Sequence, residues 1–155
     1  MTDEDEEENE LDDETYNRIT DLCDEGSDLV DDDKYDEAIE KYEQALALIP
    51  EPITDWEAST WVLTGLADAY FYKGDYANAR QTLIDAMHCP DAIGNPYIHL
   101  RLGQSQYEVG NMDRARDELV RAYMGAGEDI FDDEDPKYLA LVKESIRTEE
   151  GEGKQ

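Results

Sequence analysis

A spacing of small residues recurs three times along the chain and limits what it can fold into. Gly26, Ala67 and Gly103 are followed twelve positions later by Ala38, Ala79 and Ala115, and seven positions further on by Ala45, Ala86 and Ala122. Three positions before each last alanine stands a larger apolar residue, Tyr42, Leu83 or Leu119. Apolar residues three and four apart lie on one helical face. A small residue at the middle of one helix and another opening the next let two helices approach closely, where larger side chains would overpack. The segments "ITDLCDEGSDLVDDDKYDEAIEKYEQALALIP", "TWVLTGLADAYFYKGDYANARQTLIDAMHCP" and "PYIHLRLGQSQYEVGNMDRARDELVRAYMGAG" therefore each read as helix, tight turn, helix.

The turns correspond as well. "KGDY" and "VGNM" place Gly74 and Gly110 where a helix end takes a left-handed residue, while the first segment has Asp33 there, which makes it the weakest match of the three. The step from Ala38 to Ala79 is 41 residues and that from Ala79 to Ala115 is 36. The longer step reflects an insertion around "EPITDWEAST", in which Thr54 and Glu57 have capping-box spacing and predict an extra two turns on the following helix. After the third segment, Asp135 as N-cap and Pro136 at the first helical position open a further helix. Its stripe of Tyr138, Leu139, Leu141, Val142 and Ile146 is suited to covering the apolar end of a stack.

With small residues at the eighth, twentieth and twenty-seventh positions of a unit of about 34 residues, the chain resembles a tetratricopeptide repeat protein. The resemblance implies an all-α fold, a right-handed superhelical stack of three helical hairpins with a carboxyl-terminal capping helix. The repeats are expected over about 19–52, 60–93 and 96–129 and the capping helix over about 135–148, within a domain spanning 15–148. The departures are His99 at a position that usually holds a large apolar residue, and a terminal proline that is one place early at Pro90 and missing after the third repeat.

Charge narrows the partner. Against 42 acidic residues there are 13 basic ones, a formal net charge of −29, which disfavours nucleic acid or an anionic membrane and favours a basic protein. Ten carboxylates and no basic residue fall in Asp3–Glu14, so residues 1–14 read as a disordered acidic tail, and 149–155 as a flexible one. No window approaches a membrane span and no secretory signal opens the chain, so a cytoplasmic location is expected.

Site chemistry is sparse. Cys23 and Cys89 lack any paired spacing and are expected to be buried or half-buried thiols; His88, Cys89 and His99 do not make a zinc pattern, and "DLVDDDKYDEAIE" lacks the glycine of a calcium loop. Nucleophile and phosphate-loop motifs are absent, so neither an enzyme nor a cofactor is expected.

The resemblance implies instead a ligand-facing surface on the first helix of each pair, at repeat positions two, five, nine, twelve and thirteen. These are Thr20, Cys23, Ser27, Val30 and Asp31; Trp61, Thr64, Asp68, Phe71 and Tyr72; and Tyr97, Leu100, Gln104, Tyr107 and Glu108. The set holds five aromatics and three carboxylates without a basic residue, with Trp61, Tyr72 and Tyr107 expected to be exposed. The basic and amide residues with which the chaperone-binding members of the family clamp a terminal carboxylate are missing at Cys23, Ser27, Thr64 and Asp68. Aromatic anchors in an acidic rim suit a partner carrying Lys or Arg.

In "DAMHCPDAIGNPYIHLRLGQSQYEVGN" and "RAYMGAGEDIFDDEDPKYL", the chain is similar to small acidic bacterial tetratricopeptide proteins that serve as immunity partners of polymorphic toxins, including the rearrangement-hotspot type. That likeness implies neutralisation of a cognate toxin by occlusion; the alternative is a general scaffold or secretion chaperone holding a client peptide or helix. Monomer and dimer both remain open.

Overall fold

A computed structural model describes residues 10–153, with side chains through 148. Among these residues the chain forms α1 (Asp13–Asp31), α2 (Tyr35–Ala47), α3 (Glu57–Lys73), α4 (Tyr76–Ala86), α5 (Pro96–Glu108), α6 (Met112–Ala126) and α7 (Pro136–Gly153), with short 3₁₀ turns at Ile53–Asp55 and Glu128–Phe131. Pairs α1/α2, α3/α4 and α5/α6 pack as antiparallel hairpins, and each second helix leans on the first helix of the next pair. The result is an all-α stack of three hairpins, closed at one end by α7 packed on α6.

The recurring small residues are where the helices meet. Ala38, Ala45, Ala67, Ala79, Ala86, Ala115 and Ala122 are all fully buried. A methyl group added at Gly103 would stand 2.6 Å from Leu119 Cγ and 3.0 Å from its backbone nitrogen, and one at Gly26 would meet the Tyr42 ring at 2.8 Å. So the glycines of the first helices are the seats of the large residue on the second, and the spacing encodes a packed contact. Between hairpins the core is continuous: Ile19, Leu22, Ala45, Ile49, Ala58 and Val62 join the first to the second, and Ala67, Leu83, Ala92, Ile98 and Leu102 the second to the third.

Turn geometry follows residue type. Gly74 and Gly110 sit at φ 91° and 87°, and Asp33 takes the equivalent left-handed conformation at φ 61°. Its carboxylate accepts a bond from the Tyr35 hydroxyl at 2.9 Å.

Three boundaries differ from those expected. Asp13 and Glu14, assigned to the acidic tail, form the first turn of α1, because Asp12 caps it by accepting the Thr15 N–H at 2.8 Å and carboxylates are favoured at a helix amino terminus. Residues 1–9 lie outside the described residues. The insertion does not add two turns to α3: Thr54 falls within the 3₁₀ turn, Trp56 is the extended N-cap residue, and no side chain caps the helix. Pro50 and Pro52 hold this stretch out of helix, leaving α3 to begin only at Glu57. At the other end, α7 continues through Gly153 into the segment expected to be a flexible tail. Asp135 accepts the Lys137 N–H at 3.0 Å at its start.

Tyr138, Leu141 and Val142 of α7 are buried against Leu100, Leu119, Ala122 and Phe131. The last hairpin thus acquires the neighbour that a terminal repeat otherwise lacks.

Candidate functional site

The first helices of the three pairs, α1, α3 and α5, carry the side chains singled out from the sequence. Their middle is organised by a residue outside that set. Arg101, on α5, is 1% exposed, and its guanidinium lies 4.6 Å from the centre of the Phe71 ring, 5.1 Å from Tyr72 and 5.4 Å from Tyr97. Its Nε donates to Asp68 Oδ1 at 2.9 Å, Nη1 to Gln104 Oε1 at 2.8 Å, and Nη2 to the Tyr72 and Tyr97 hydroxyls at 3.1 and 3.0 Å. Glu134, from the connector before α7, approaches Nη1 at 3.7 Å. The expectation of a surface set without a basic partner is therefore corrected: five of its members, Asp68, Phe71, Tyr72, Tyr97 and Gln104, surround an internal cation.

A buried guanidinium persists only if its charge and donors are satisfied, and this one is. Burial works against the charge, but Asp68 and the tyrosine oxygens hold the Arg101 pKa above its ordinary value. Burial also pushes the Asp68 carboxyl up, and Arg101 and the Tyr97 hydroxyl, which donates to Oδ2 at 2.7 Å, pull it back. Gln104 is fully buried with its Nε2 lacking an acceptor among the described residues.

The other expected residues separate into distinct environments. Leu100 is not on the surface: it points into the core between α6 and α7. Tyr107, expected to be exposed, is half-buried, edge-on to Tyr138 at 5.3 Å, with Lys137 Nζ 5.2 Å above its ring. Glu108 accepts from Lys137 Nζ and from the Tyr138 hydroxyl, both at 2.6 Å. Burial raises the Glu108 carboxyl, but these two bonds outweigh it and leave the pKa below the ordinary glutamate value. The docking of α7 accounts for both corrections.

Thr64 spends its hydroxyl on the Thr60 carbonyl at 2.6 Å. Asp31 is exposed at the end of α1. Cys23 is half-buried, and burial with the nearby Asp24 carboxylate pushes its thiol up to about 11; Cys89 is buried.

Three of the five aromatic residues of the set remain open to solvent. Trp61 is 36% exposed and meets Tyr16 edge-on at 6.2 Å, and Tyr97 is 38% and Tyr72 49% exposed. Between Trp61 and Tyr97 lies a pocket of about 270 Å³, lined also by Glu57, Thr64 and Asp91. Among the described residues no three metal-ligating side chains converge, and no helix is long and apolar enough to cross a membrane.

Stacked helical hairpins with small residues at the crossings define a helical repeat protein. Two tetratricopeptide repeat profiles match residues 20–87 and 64–129, together covering the three hairpins, and the chain belongs to that family. It is 34% identical over 89 residues to the photosystem I assembly protein Ycf3 of two Synechococcus strains. That match takes in 54% of this chain, which spans about half the length (49%) of those relatives.

Solved folds agree. The first TPR domain of Spaghetti, bound to the HSP90 peptide SRMEEVD, has a TM-score of 0.62 at 16% identity, covering 85% of this chain and 93% of that one. The second TPR domain of human RPAP3, in complex with the HSP70 peptide SGPTIEEVD, has a TM-score of 0.63 at 15% identity over 84% and 96%. The Sgt2 TPR domain of Aspergillus fumigatus has a TM-score of 0.62 at 19% identity over 88% and 82%.

Proposed function

We propose that this chain is a protein-interaction module that receives a cationic partner on the surface of α1, α3 and α5, and that it serves as an immunity protein occluding a cognate bacterial toxin. The observation that carries the charge preference is Arg101. It is the basic residue at the centre of this surface, and it is buried and neutralised by Asp68 and Glu134. The rings of Trp61, Tyr72 and Tyr97 and the surrounding carboxylates are left to face a partner. The peptides SRMEEVD and SGPTIEEVD, bound to the structural neighbours, carry three acidic residues among their last four. Among the described residues, Arg101 at the centre of this surface is already paired and cannot hold such an end, and the net charge of −29 repels it. The same field speeds the approach of a basic partner.

A second reading, a scaffold or secretion chaperone holding a client, is favoured by the likeness to an assembly protein. Partner capture from the source cell separates the two. The immunity reading expects a basic protein whose expression is lethal alone and harmless with this chain. A basic client without toxicity selects the scaffold, and an acidic partner overturns both.

A further inference from the structure

We infer that the pocket between Trp61 and Tyr97 is a receptor for one arginine side chain of the protein partner, an inference that rests on the reading of this surface as a site for cationic proteins. The molecule itself supplies the template. The rings of Phe71, Tyr72 and Tyr97 and the Asp68 carboxylate enclose the chain's own Arg101. The same kinds of group line the pocket that Tyr97 also borders: the Trp61 and Tyr97 rings, with the exposed carboxylates of Glu57 and Asp91. Neither carboxylate pairs with a basic group among the described residues, and no basic residue lines the pocket. Tyr97 is thus a wall shared by a filled cage and an open one.

The open side is held in shape. Thr60 donates to the Pro90 carbonyl at 2.6 Å, and the Gly94 N–H donates to His99 Nε2 at 2.9 Å, pinning both ends of the connector that carries Asp91. His99 is itself held by Glu118 through Nδ1. Asp91 sits at φ 60°, a conformation that side-chain-bearing residues adopt at a cost and that a fixed connector maintains.

The chemistry selects the occupant. An apolar side chain would desolvate Glu57 and Asp91 without pairing them, and an acidic one would be repelled. A lysine ammonium satisfies the charge, but its strong hydration opposes entry between two rings. A guanidinium is planar, weakly hydrated, stacks on aromatic faces and offers a fork of donors to carboxylates.

Nuclear magnetic resonance titration of the full chain with blocked tetrapeptides, alike except for a single arginine, lysine or glutamine, tests this. The arginine peptide is expected to shift the Trp61 indole and the Asp91 amide and to bind about fivefold or more tighter than the lysine peptide. W61A and the isosteric D91N are each expected to weaken it by about tenfold, with helical circular dichroism unchanged. E40Q, at an exposed carboxylate on α2, is expected to leave it unchanged. Equal affinity for lysine, or equal loss in E40Q, would replace the pocket with a general acidic field. The inference also fails if a captured basic partner binds W61A and D91N as well as it binds the native chain. That result leaves the broader reading standing, whereas capture of an acidic partner removes both.

Discussion

Replacing Arg101 by Met keeps an unbranched stem of similar reach and deletes the guanidinium. The variant loses the 2.9 Å pair with Asp68, the bonds to Gln104, Tyr72 and Tyr97, and the approach of Glu134. Asp68 is left with the Tyr97 hydroxyl as its donor. Breaking a buried pair from one side costs about 3–5 kcal/mol because the remaining charge is stranded. The Asp68 side chain retains 22% exposure, so water recovers part of this, and a loss of about 2–4 kcal/mol is expected. For a chain of this size that is a fall of roughly 5–15 °C in the melting temperature followed by circular dichroism. The pH dependence has a definite sign. Without Arg101, burial raises the folded Asp68 pKa against the Tyr97 hydrogen bond alone, so the penalty is full above the raised folded value, shrinks as pH falls through it, and is gone below the unfolded value of about 3.9. The double variant D68N/R101M removes the stranded charge and should be more stable than R101M at neutral pH. An R101M loss below about 0.5 kcal/mol, or a double variant weaker than the single, would refute the description of this cluster as a satisfied buried cation.

Three further outcomes follow from the packing and the caps. Gly103→Ala drives a methyl group into Leu119, at an expected cost of about 1–3 kcal/mol that exceeds the helix-propensity gain of about 1 kcal/mol, and an unchanged urea midpoint would contradict it. Asp33→Gly relieves a left-handed residue and should raise the unfolding free energy, read from the same midpoint, by about 0.5–1 kcal/mol even though the exposed bond from Tyr35 is lost. Glu108→Gln should destabilise the chain at neutral pH. Because the folded Glu108 pKa is depressed, the native advantage is full above the unfolded value of about 4.3 and lost as pH falls through the lower folded value. The two chains should therefore converge in acid, and a difference that persists there would show that the Lys137 and Tyr138 bonds are not its source.

The repeat was legible because its signal is steric. Gly26, Gly103 and the buried alanines recur at fixed spacing since only small side chains fit where helices cross. The left-handed turn at Asp33 was legible for a related reason, that its place in the unit matches Gly74 and Gly110. The surface was harder to read because successive residues on a helix differ in direction by about 100°. One position decides that Leu100 enters the core while Arg101 enters the aromatic cage, and periodicity does not resolve helix rotation that finely. Tyr107 and Glu108 were misread because α7 covers them through Lys137 and Tyr138, a contact between residues 30 apart that no local spacing announces. Thr54 had the spacing of a cap, but two nearby prolines keep its backbone out of the helix it would have capped. An arginine between Tyr97 and Tyr107 was the available clue to the cluster: one cation among the apolar and aromatic residues of a helix calls for an intramolecular partner.

Amide hydrogen exchange of the full chain, free and bound to the partner recovered from its source, tests the central claim most directly. Added protection should concentrate on the surface-facing turns of α1 and α3 near Tyr16 and Trp61 and on the connector from Asp91 to Tyr97. Protection confined to α4 and α6, with this surface exchanging as in the free chain, would contradict it.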